Sequence, residues 1–119
     1  MANKPQFRYL NWICLIGRVG FTKVTDVGDR KHIRMSVVTN YAYKDRDGNA
    51  VMDTMWHQVV GWVREGASVP NKGDIVRVSG RLTYRRYCSE RGEDRTSAEI
   101  IAGEWDVLAD ASESIENES

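Results

Sequence analysis

Cysteine, proline and histidine are scarce in this chain, with two of each in 119 residues. Cys14 and Cys88 have neither a CxxC partner nor a Cys/His cluster nearby, which excludes a disulfide framework and a zinc site of ordinary spacing. Cys14, inside the apolar run "WICLIG", reads as a buried thiol and Cys88 as a loop thiol; both suit a reducing compartment. His32 and His57 are accompanied by no Ser or Cys nucleophile motif, and no carboxylate cluster suits a catalytic metal, so an enzyme is not expected. Long apolar runs are missing as well. None approaches the roughly 20 residues that span a bilayer, and "MANKPQFRYLN" contains no signal-type hydrophobic stretch. The expectation is a soluble cytoplasmic protein with no membrane contact and no cofactor.

Charge of one sign is absent from the end of the chain. All 17 Lys and Arg fall within residues 1–103, together with only 11 of the 17 Asp and Glu, whereas residues 104–119 hold the other 6 acids and no base. The formal net charge of zero therefore conceals a basic body and an acidic terminal segment. A basic body suits a polyanionic partner. From about Ala109 onward "ADASESIENES" is polar, acidic and without periodicity, and a short disordered acidic tail is expected over 109–119.

Helical signals are few, and strand signals fill the gap. Residues 12–20, 32–40, 54–62, 74–87 and 96–108 are rich in β-branched and aromatic residues and are separated by turn residues. The second and third strands are joined by a long hairpin with Asp47-Gly48-Asn49 at its tip, and the fourth and fifth by "CSERGEDR" around Gly92. Between strands three and four, "VREGASVPNKG" leaves room for one helical turn at most. Gly17 and Gly80 lie inside strands, where glycine marks a bend or bulge and hence strong curvature. Five short curved strands in one domain, residues 1–108, suit an all-β, five-stranded Greek-key barrel of the OB type with long β-hairpin loops. A β-sandwich normally needs about seven strands.

The faces of these strands carry the chemistry. In "TMWHQVVGW", alternation sends Trp56, Gln58, Val60 and Trp62 to one side and Met55, His57 and Val59 to the other. In the fourth strand Val76, Val78, Leu82 and Tyr84 share a core parity, while Arg77, Ser79, Arg81, Thr83, Arg85 and Tyr87 share the other, with Arg86 beside them. The hairpin segment "YAYKDR" sets Tyr41 and Tyr43 against Lys44 and Arg46. Aromatic rings interleaved with cations are what single-stranded nucleic acid requires: stacking contributes ~1–3 kcal/mol per base while cations track phosphate. Trp12 and Trp105 lack a basic context and are assigned to the core.

In their order and spacing "ICLIGRVG", "TMWHQVV" and "KGDIVRVSGRLTYRRY" resemble the bacterial single-stranded DNA-binding protein family, with its Glu-Trp-His-Arg-Val-Val and Lys-Gly-x-x-Val-x-Ile-x-Gly-x-Leu blocks, over residues 11–108. The resemblance implies an OB barrel assembled as a homotetramer (a dimer is the other possibility), associated with the bacterial nucleoid, that binds and protects single-stranded DNA during replication, recombination and repair. It assigns stacking to Tyr43, Trp56, Trp62 and Tyr87, and phosphate contacts to Lys44, Arg64, Arg85 and Arg86; strand parity adds Arg81 to the nucleic-acid face. Tyr43 and Tyr87 stand where the family has Trp, and Gln58 where it has Arg. His57 matches a histidine placed at the subunit interface rather than at DNA. The chain departs from the family at "ESIENES", which lacks the long linker and the Pro-Phe tip that recruits replication and repair proteins.

Two rival readings differ in class, a protein-binding adaptor and a small nuclease, and the nuclease lacks any carboxylate cluster suited to a metal ion. A primosome-type OB adaptor would bind a replication protein tightly and DNA weakly. A calcium loop at Asp45, Asp47 and Asn49 fails because Gly48 stands fourth instead of sixth and Trp56 occupies the place of the bidentate Glu.

Overall fold

The computed structural model describes residue 4 and residues 6–115. Five strands follow in order: β1 (Ile13–Val27), β2 (Arg30–Lys44), β3 (Ala50–Trp62), β4 (Ile75–Cys88) and β5 (Asp94–Ala109). The all-β, five-stranded expectation holds, and each strand finds two neighbours. β1 pairs with β2 and β4, β2 with β3, and β4 with β5, all antiparallel; β3 and β5 pair in parallel through Gln58–Val60 and Glu99–Ile101.

The strands run longer than their apolar centres. β1 and β2 meet in a two-residue loop, Gly28-Asp29, with Val27 opposite Arg30 and Gly28 at φ 64°. The charged flanks "TKVTDV" and "DRKH" hid this hairpin, although a Gly-Asp pair between Val- and Thr-containing segments is a known two-residue turn signal. The β2–β3 turn lies where the sequence placed it. Asp45 Oδ1 accepts backbone N–H groups from Asp47 and Asn49, each at 2.9 Å, and Gly48 takes φ 81°. Those hydrogen bonds occupy the carboxylate as a turn brace. Residues 63–74 contain no helix; Gly73 sits at φ 93° and donates to the Val19 carbonyl at 2.7 Å.

The core consists of Val19, Ile33, Met35, Val37, Val59, Val76, Val78 and Ile100, with Ile13, Leu15, Val63, Ala102 and Trp105 packed at its margin. Burial of each such aliphatic side chain contributes about 1.5–3 kcal/mol. Curvature follows from the two strand glycines. A Cβ at Gly17 would strike the Val38 carbonyl, and one at Gly80 the Ile101 backbone, beside the bulge between Ser79 and Gly80. Beyond this core the hairpins project, leaving residues 40–50 and, apart from the half-buried Ser89, residues 84–96 exposed.

Several local expectations are corrected. Cys14 is exposed, because its parity on β1 is opposite to that of Val19; its sulfur lies 3.6 Å from Ser79 Oγ. Cys88 ends β4 rather than opening a loop. Trp12 is 58% exposed, since it precedes β1 at the rim, whereas Trp105 packs on the core and donates its indole N–H to the Ser68 carbonyl at 2.9 Å. Tyr84 continues the core parity of β4 but lies past the core and is exposed. Ala109 closes β5, and beyond it the Glu113 carbonyl accepts from Arg18 at 2.8 Å; the same guanidinium donates to the Gly73 carbonyl at 2.7 Å. The remainder of the expected tail, 116–119, lies outside the described residues.

Candidate nucleic-acid interface

The pleat of β3 separates its two sides. Val59 is fully buried, and the indoles of Trp56 and Trp62, at the opposite parity, are 59% and 40% exposed. Register carries that outer side across the sheet. His32 stands opposite Trp62, Arg34 opposite Val60 and Val38 opposite Trp56. In the other direction Gln58 neighbours Glu99 and Val60 neighbours Ile101; beyond them come Thr83 and Arg81, then Arg85 beside Ser97 and Tyr87 beside Arg95. Trp56, Trp62, Tyr87, Arg81 and Arg85 therefore share one face, with Gln58 and Arg34 between them.

Each indole has its own support. Trp56 lies across Gly20, at the β1 bulge: a Cβ on residue 20 would fall 2.9 Å from Cη2 of the ring and closer still to Cζ3. Trp62 is flanked by two side chains that sequence reasoning did not single out. The Arg30 guanidinium carbon stands 4.0 Å from the ring centroid, and His32 meets the ring edge-on at 5.1 Å and 75°. Such a cation over an exposed indole contributes about 0.5–1 kcal/mol. Because the residues come from β2, only the β2–β3 register brings them to Trp62.

Other expected residues are not brought together. Tyr43 stacks on Tyr41, with centroids 6.2 Å apart and planes at 28°. In the unbroken register Tyr43 pairs with Val51, so it emerges on the opposite side of the hairpin from Trp56, whereas Lys44 is on Trp56's side. Arg86 is opposite in parity to Arg85 and Tyr87. Arg64, past the end of β3, donates to the Gly103 carbonyl at 2.7 Å, which ties its guanidinium to the protein.

At the centre of the shared face sits Glu99, buried and paired through Oε2 with Arg34 at 3.0 Å and Arg85 at 3.7 Å. With Gln58, Tyr87 and Ser97 these three residues line an open hollow of about 240 Å³. Arg34 and Glu99 went unremarked in the sequence; the alternation of Glu99 against the apolar Ile100 and Ile101 was the available signal. His57 lies on the reverse side, with Nε2 at 2.8 Å from Thr39 Oγ1. Partial burial pushes its pKa below the usual histidine value, so the ring is neutral at pH 7. Among the described residues no group of His, Cys, Asp and Glu has the arrangement of a metal site.

The profile of the single-strand binding protein family matches residues 10–108 of this sequence. The chain belongs to that family. Its relatives include the single-stranded DNA-binding protein of Xanthomonas axonopodis pv. citri, 36% identical over 107 residues that cover 85% of this chain and 59% of the relative. The mitochondrial single-stranded DNA-binding protein of Drosophila melanogaster is 31% identical over 108 residues, covering 86% of this chain and 73% of that protein. The chain thus spans about three fifths of the length of the Xanthomonas and Neisseria relatives it matches. Among solved structures it is similar to the Plasmodium falciparum SSB in complex with ssDNA, at TM-score 0.74 and 27% identity over 88% of this chain and 98% of that one. The small single-stranded DNA-binding protein of Streptomyces coelicolor gives 0.64 at 27% identity, covering 81% and 92%. The five-stranded sheet is accordingly of the OB type found in SSB proteins. Within that family likeness Gln58 presents a neutral amide at the edge of the hollow, beside two arginines already engaged by Glu99.

Proposed function

We propose that this protein binds single-stranded DNA without strong dependence on sequence, and that it coats and protects exposed strands in replication, recombination or repair. The observation that supports this reading best is the clustering of Trp56, Trp62 and Tyr87 with Arg81 and Arg85 on one exposed sheet face. Bases stack on the rings, and the cations follow the phosphates; Lys44 extends the same side along the hairpin. Tyr43 and Arg86 act on a strand that wraps around the projecting hairpins, and Arg64 contributes at the Trp62 end. The sheet closes as a Greek-key OB barrel with residues 1–108 as the binding domain. Its working form is a homotetramer in the bacterial cytoplasm with His57 at a subunit contact.

The test is a tryptophan-fluorescence titration with oligo-dT at several salt concentrations. Stacking predicts deep quenching that saturates at a fixed nucleotide count, with a log–log salt slope of about −0.7 per phosphate neutralised. A Trp56→Ala, Trp62→Ala double variant with its fold intact by circular dichroism is expected to lose most of the binding. Unchanged affinity in that variant would refute the assigned face. For the assembly, sedimentation of His57→Lys is expected to show a smaller species than the unsubstituted protein; an unchanged mass would remove His57 from the interface.

A further inference from the structure

The hollow lined by Arg34, Gln58, Arg85, Tyr87, Ser97 and Glu99 is about 240 Å³ in volume. This lies below the ~300–1,000 Å³ of pockets for drug-sized ligands and is on the scale of one planar group. Its polar groups are used unequally. Both arginines contact Glu99 through Oε2, and Oε1 takes part in neither contact. Among the described residues the Gln58 amide, the Ser97 hydroxyl and the Tyr87 phenol have no protein hydrogen-bond partner. A platform that only stacks bases and neutralises phosphates needs none of these groups, and a carboxylate in its centre repels phosphate. Convergent hydrogen-bonding groups of both signs around an aromatic ring are instead suited to reading the edge of an unstacked base.

We propose that this hollow is a guanine-selective subsite within the single-strand face, a proposal that rests on the single-strand reading above. Guanine alone among the DNA bases presents two neighbouring donors, N1–H and the N2 amino group, next to a carbonyl acceptor, O6. Glu99 accepts from the donor pair, the Gln58 amide or an arginine N–H donates to O6, and the Tyr87 ring flanks the base. Thymine turns carbonyls toward the carboxylate on both sides of its single N–H. Cytosine and adenine set a ring acceptor beside their amino donor. A site whose polar groups are left unpaired by the wrong partner discriminates more strongly than an apolar slot. Gln58 matters because an arginine there would add a third cation around Glu99 and favour phosphate over a base edge.

The experiment compares binding of three oligomers of about 16 nucleotides, the upper end of the site size for one OB fold: all-dT, dT with one central guanine, and dT with one central inosine, which keeps O6 and N1–H but lacks the N2 amino group. The guanine oligomer is expected to bind roughly fivefold more tightly than all-dT, the lower end for a good bidentate base contact. Inosine should lose most of that gain, and Gln58→Ala and Ser97→Ala should each bring the guanine-to-thymine ratio toward one. Tight but equal binding of all three oligomers would overturn the guanine subsite while leaving the stacking face in place. A uniform loss in Gln58→Ala, with the ratio unchanged, would mean that the hollow holds phosphate and would equally overturn it. Failure of every oligomer to bind at low salt would remove the single-strand reading and this subsite together.

Discussion

Gly20→Ala separates the stability of this fold from the use of its exposed indole. The added methyl would lie 2.9 Å from Cη2 of Trp56 and 3.2 Å from Ser36 Oγ, inside the 3.5–4.0 Å of an ordinary carbon contact. The ring, more than half exposed, retreats outward by about an ångström, and an off-rotamer indole costs about 0.5–1.5 kcal/mol. Gly20 is not among the positive-φ glycines, so alanine also restricts the unfolded chain, which stabilises the fold by about 0.4–1 kcal/mol. The two effects nearly cancel, and urea denaturation is expected to give a stability within about 1 kcal/mol of the unsubstituted protein. Binding does not benefit from that cancellation. A displaced platform forfeits part of the ~1–3 kcal/mol that stacking supplies, so Kd for oligo-dT should rise about fivefold. In a Trp56→Ala background, Gly20→Ala should have no further effect on Kd, because the group it displaces is gone. An equal weakening in both backgrounds would refute the reasoning, as would an unchanged Kd in Gly20→Ala alone.

Gly80→Ala should behave in the opposite way. Its methyl would meet the Ile101 carbonyl and lie 2.9 Å from Ala102 Cα, backbone atoms that cannot swing aside, so a loss at or above the ~1–3 kcal/mol of overpacking is expected in thermal melts. A melting temperature equal to that of the unsubstituted protein would show that the β4–β5 bulge yields more readily than its geometry implies. His57 makes stability depend on pH. Its pKa is lowered on folding by burial, so the unfolded chain binds more protons just below pH 6.5, and stability is expected to fall as pH drops from 6.5 toward the lowered value. His57→Gln should flatten that part of the pH profile measured by denaturant melts; an unchanged profile would assign it to other groups.

The strands and their faces were legible because a two-residue period shows directly in which side chains alternate. Val59 against Trp56 and Trp62, and Val76 and Val78 against Arg77, declare a buried and an open side without reference to any partner strand. The turn at Asp47-Gly48-Asn49 and the close approach at Gly17 and Gly80 were equally local, since each depends on backbone conformation or the lack of a Cβ. The parity rule fails at strand ends. Tyr84 and Trp12 were misjudged because burial depends on how far the core extends along each strand, and a strand's own residues do not state where its neighbours stop; Cys14 obeys the parity of β1, and the apolar run around it masked its outward side.

By itself, then, the amino-acid sequence determined an all-β chain of five strands, a face of tryptophans and arginines kept out of the core, and a basic body ahead of an acidic end. These are properties of composition and of a short-range repeat. Tertiary structure alone decided which of those residues meet. It seats Arg30 and His32 against Trp62 and lays Trp56 over Gly20, and it parts Tyr43 from Trp56 across the hairpin. It gathers Arg34, Gln58, Arg85 and Glu99 from four different strands into one hollow. Such meetings depend on register between strands far apart in sequence, where a shift of one residue sends every side chain to the other face.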